Sequence, residues 1–93
     1  MTRAILALLL MTGTAHAQAC GPREKVAAKL AKTYGESRRA VGLGSNNTVM
    51  EVFASDATGS WTITATSAEG VMCLIASGEA FGVLPPAPVG DPT

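Results

Sequence analysis

Residues 60–66 read Ser-Trp-Thr-Ile-Thr-Ala-Thr, so that Trp61, Ile63 and Ala65 alternate with Thr62, Thr64 and Thr66. A strict period of two in β-branched and aromatic residues marks a half-buried strand, because successive side chains of an extended chain point to opposite faces. Asp56-Ala57-Thr58-Gly59 precedes the run and Ser67-Ala68-Glu69-Gly70 follows it. Each ends in a glycine, which suits a type I turn closed by a left-handed residue in a short hairpin. Residues 48–55 and 71–77 are therefore expected to flank this strand antiparallel, and residues 51–78 to form the centre of the molecule.

A sheet of this size needs a covering layer, and the preceding residues predict one. Gly21-Pro22 breaks the chain, and proline is well tolerated in a first helical turn. Val26, Ala27, Leu30, Ala31 and Tyr34 then recur at spacings of three and four, and Gly35 suits the left-handed position that ends a helix. An amphipathic helix over 22–34 follows. Its other side carries Lys25, Lys29 and Lys32, bracketed by Glu24 and Glu36. This basic stripe reads as a solvated face, the alternative being contact with an anionic partner or a phospholipid head group. Beyond the helix, Arg39, Val41 and Leu43 alternate with Arg38, Ala40 and Gly42, which suggests a strand leading through a Gly44-Ser45-Asn46-Asn47 turn. Gly42 and Gly44 match neither the dinucleotide nor the Walker phosphate-binding spacing, and the Asn46-Asn47-Thr48 sequon matters only where secreted proteins are glycosylated. Both are read as turn residues. The expected fold class is α+β: one N-terminal amphipathic helix packed on a three- or four-stranded antiparallel meander.

The first 17 residues have a basic start at Arg3, an apolar run over 4–11 and an Ala15-His16-Ala17 cleavage site, with a second small-residue site after Ala19. This is the pattern of a secretory signal peptide, and eight apolar residues fall well short of the roughly 20 that a spanning helix needs. The expected organisation is a signal peptide at 1–17, a single small domain at 18–83 and a Pro-rich flexible tail at 84–93, where four prolines fall in ten residues. Removing 17 of the 93 residues leaves 76, with six basic and seven acidic side chains. That balance favours neither nucleic acid nor a membrane surface as partner, and no stable membrane span is expected after cleavage.

Two cysteines remain, Cys20 and Cys73. Their separation is not a Cys-x-x-Cys redox motif, and two thiols alone do not complete a tetrahedral zinc site. In an oxidising compartment a structural disulfide is expected, a staple suited to a core this small; the alternative is free, reactive or intermolecular thiols. The pairing is expected to put Cys73 on the helix-facing side with Val71 and Ile75.

His16 is the only histidine and falls within the predicted signal, so the mature chain lacks the commonest general base and the commonest metal ligand. Its carboxylates are scattered and its serines have no histidine to activate them, so no catalytic, cofactor-binding or metal residues are assigned and no cofactor is expected. The surface offers more. If both central hairpins have three-residue loops, Phe53, Trp61, Ile63, Cys73 and Ile75 share the helix side. Met50, Val52, Thr62, Thr64, Met72 and Leu74 then share the other, too apolar for a solvated sheet, and form the candidate protein contact, to another envelope protein or to itself. A four-residue loop in one hairpin would invert this parity, and a tail folded back would cover the face.

Cys20-Gly21-Pro22-Arg23, Tyr34-Gly35-Glu36, Gly59-x-Trp61-Thr62-Ile63-Thr64 and Gly70-x-x-Cys73 together resemble a group of short, signal-bearing hypothetical proteins of alphaproteobacteria, over about residues 20–81. The resemblance implies a periplasmic address and a cysteine pair, and transfers no site. The functional expectation is a secreted or periplasmic small binding or interaction protein. The alternatives are a structural envelope protein without a ligand and an enzyme with an unrecognised site.

Overall fold

The computed structural model describes residues 19–90. The signal-peptide reading of 1–17 and the last residues of the tail lie outside them. Strand β1 (Cys20–Pro22) leads directly into helix α1 (Arg23–Tyr34), followed by β2 (Ser37–Leu43), β3 (Val49–Ala54), β4 (Trp61–Thr66) and β5 (Val71–Gly78). The five strands make one antiparallel sheet in the order β1-β5-β4-β3-β2. The helix packs on one face, so the α+β class and the meander from β2 to β5 match expectation.

Two features correct it. The helix is not N-terminal, because the three-residue β1 precedes it, and β1 raises the strand count to five. Cys20-Gly21-Pro22 carries no alternating pattern to announce a strand. It is extended because Cys20, Gly21 and Pro22 pair with Cys73, Met72 and Val71, and proline is tolerated on an edge strand. Pro22 has an extended backbone just ahead of the first helical residue, and Gly35 ends the helix at φ 65°, its N–H returning to the Ala31 carbonyl at 3.1 Å. The Arg23 N–H reaches the Gly70 carbonyl at 3.1 Å, tying the helix start to the β4–β5 turn.

The second correction concerns sheet faces. The β4–β5 hairpin has the expected three-residue loop, with Ser67 and Val71 closing it and Gly70 at φ 87°. The β3–β4 hairpin instead closes at Ser55 and Ser60, leaving the four residues 56–59 in its loop. One extra residue moves β3 over by one face. Phe53 is then opposite Thr62, Glu51 opposite Thr64, Val52 opposite Ile63 and Met50 opposite Ala65.

The face under α1 is the threonine face. Leu30 packs on Phe53 and Met72, with Val26 and Ala27 against this cluster, and Thr62, Thr64 and Thr66 are buried beside it. The far face carries Trp61, Ile63 and Ala65 of β4, Met50 and Val52 of β3, and Ala40 of β2. An irregularity in β5, where Ile63 pairs with Ala76 and Thr64 with Leu74, leaves Ile75 as the extra residue of a bulge.

Candidate functional site

Cys20 and Cys73 are joined by a disulfide between directly opposed residues of β1 and β5. The bridge lies on the far face, in line with Ala65 and Met50, not on the helix side as expected. Val71 and Ile75 accordingly stay exposed, at 44% and 47%. The cause is again parity: Met72 takes the inward position on β5, so its neighbours along the strand point away.

The six residues grouped as one contact surface fall on both sides of the sheet. Met72 is fully buried, and Thr62 and Thr64 are buried under α1 with it. Those three are core. Leu74, half-buried, is on the same side, while Met50 and Val52, also half-buried, are on the far face. The uncovered apolar surface is therefore a different set: Met50, Val52, Ile63, Ala65, Val71 and Ile75, with the disulfide among them. A shallow depression on it is walled by Ala65, Val71, Cys73 and Ile75.

The chain after β5 closes one end of this surface only. Phe81 donates its N–H to the Gly59 carbonyl at 2.9 Å, and the Arg39 guanidinium lies 5.5 Å above the Phe81 ring while pairing with Asp56. The Trp61 indole donates to the Glu79 carbonyl at 3.0 Å and packs on Gly78, where a Cβ would stand 2.7 Å from the ring. Val83, Leu84 and Val89 are exposed, so residues 83–89 do not cover the face.

The opposite side holds a charged cluster in the core. Glu51, 1% exposed, accepts from Arg23 Nε at 3.1 Å, Arg23 Nη2 at 2.5 Å and Arg38 Nη1 at 3.2 Å. The hydrogen bond from Arg23 does most to hold this carboxyl below the usual carboxylate range; burial opposes it, and Arg38 adds to the lowering. A charge in the middle of the apolar run Val49-Met50-Glu51-Val52-Phe53 is the signal that could have found this cluster, because a buried carboxylate requires a partner. Its partners come from the helix start and a neighbouring strand, which no local spacing indicates. Nearby, Glu36 is buried, with one oxygen accepting from Ser60 Oγ at 2.8 Å and the other without a partner.

Between α1 and the β1–β5 edge runs a groove of about 320 Å³, walled by Val26, Leu30, Tyr34 and Leu74 and bordered by Lys25 and Lys29. Of the three helix lysines, Lys32 is absent from its lining. Among the described residues no three His, Cys, Asp or Glu side chains come together as a metal site, and no helix is long and apolar enough to cross a membrane. No family, curated protein or solved structure matches the chain, so its similarity to known proteins adds no site to those found in its own geometry.

Proposed function

We propose that this is a small interaction protein of an oxidising extracytoplasmic compartment, periplasmic or secreted, which docks a protein partner through the far face of its sheet. The observation that carries the reading is the two-sided apolarity of the sheet: one face is filled by α1, while Met50, Val52, Ile63, Val71 and Ile75 line the other with no covering layer among the described residues. A sheet with one solvated face normally alternates apolar with polar residues, and an apolar uncovered face marks a site of association. The disulfide supports the compartment, since such bridges persist where thiols are not kept reduced. The disulfide also ties β1 to β5 beside the docking surface, and a covalently held surface costs less ordering on binding.

The test places a photo-crosslinking residue at Ile75, on the far face, and at Lys32, on the outer side of the helix, in the exported protein. A discrete adduct from Ile75 alone, lost when Val71→Glu and Val52→Glu are added, is the expected result. An adduct of twice the chain mass identifies the partner as a second copy, and light scattering then gives a dimer. A monomer with no adduct from Ile75 refutes the reading and leaves a structural role without a ligand.

A further inference from the structure

We propose that the groove between α1 and the β1–β5 edge binds a single-chain anionic amphiphile, an acyl chain ending in a carboxylate. This site is on the opposite side of the sheet from the protein-docking face and is independent of it. Of its walls, Val26, Leu30 and Leu74 carry no side-chain hydrogen-bonding group and Tyr34 adds one ring with a single hydroxyl, so the body of an occupant faces mainly apolar surface. The space of about 320 Å³ reaches the size range of ligand pockets. Allowing roughly 30 Å³ for a methylene-sized group, about the share of one liquid water, it takes a chain of about ten atoms.

The charge at its border gives the occupant its head group. Each arginine among the described residues is committed to a carboxylate, Arg23 and Arg38 to Glu51 and Arg39 to Asp56. Lys25 and Lys29 form no ion pair among the described residues, stand one helical turn apart, and both border the groove. Like charges at this spacing repel, and a carboxylate placed between them relieves the repulsion. A space of about 320 Å³ holds one chain of about ten atoms and not two. An anionic single chain satisfies walls and border together.

The experiment titrates the oxidised protein with decanoate, below its micelle concentration, while following amide resonances. Decyl maltoside, with the same chain and a neutral head, and phosphatidylglycerol vesicles are run beside it. Saturable decanoate binding that shifts Val26, Leu30 and Leu74, with weaker binding of the maltoside, is expected. A Lys25→Gln, Lys29→Gln double variant loses about twofold to thirtyfold in affinity, the sum of two exposed charge contacts, while Lys32→Gln is unchanged. Both are surface changes, and Trp61 emission checks that each variant is folded. Absence of saturation, equal binding of the neutral amphiphile, indifference to the double variant, or binding to vesicles alone each overturns the proposal.

Discussion

Glu51→Gln isolates the charge in the core cluster while keeping its shape. The native carboxylate accepts three hydrogen bonds from Arg23 and Arg38, whereas the amide keeps one acceptor oxygen and turns an NH2 donor toward guanidinium groups that are themselves only donors. Removing one member of a fully buried ion pair costs about 3–5 kcal/mol. Here the two arginine side chains are 40% and 54% exposed, so water takes up their charge and the loss falls to about 2 kcal/mol. In a domain of this size that is a fall in Tm of about 8–16 °C. The pH dependence has a defined sign. Glu51 titrates lower in the folded protein than in the unfolded chain, where its value is about 4.3. Between the two values the unfolded chain binds more protons, so the contribution is present above about pH 4.3 and is lost as pH falls through the folded value. The glutamine variant has no such titration. Urea unfolding followed through the single tryptophan, Trp61, measures both proteins from pH 7 down to about pH 2. The stability gap is expected to be full at neutral pH and to narrow in acid. A gap below about 0.5 kcal/mol at pH 7, the scatter of ordinary surface substitutions, or one of constant size across the range, refutes the account.

Reducing the Cys20–Cys73 bridge is expected to add two hydrogens to the intact mass and to remove about 4 kcal/mol of stability for a separation of 53 residues; a native protein that already reacts with a thiol label would contradict the pairing. Thr64→Val should stabilise by about 1 kcal/mol, because the Thr64 hydroxyl is buried without a partner and valine keeps its shape, and a lower midpoint in urea would show that the hydroxyl is satisfied.

The local periods carried most of the elements. Val26, Leu30 and Tyr34 with Gly35 set the helix and its end, and the alternation from Trp61 to Thr66 set β4, because each signal is contained within one element. The asparagines of the β2–β3 turn fall in the left-handed region, at φ 60° and 57°, as their short polar side chains permit. The cysteine pair was legible because a small core in an oxidising compartment needs a staple. None of these signals states which face of a strand is inside.

That choice belonged to the tertiary structure. Threonine and the Trp-Ile-Ala series are both acceptable in a sheet interior, so the alternation along β4 defines two faces without ranking them. The four-residue loop at 56–59 and the packing of Leu30 on Phe53 and Met72 put the threonines under the helix and the isoleucines outside. A single residue of loop length reverses every side chain of β3, and no term local to that turn distinguishes three residues from four strongly enough to be read in advance. The partners of Glu51 and the strand character of Cys20–Pro22 were hidden for the same reason. Both depend on residues 13 to 53 positions away, brought near only by chain closure. Sequence alone determined the helix, the strands of the meander and the cysteine bridge, whereas packing across the sheet decided which surface remained open.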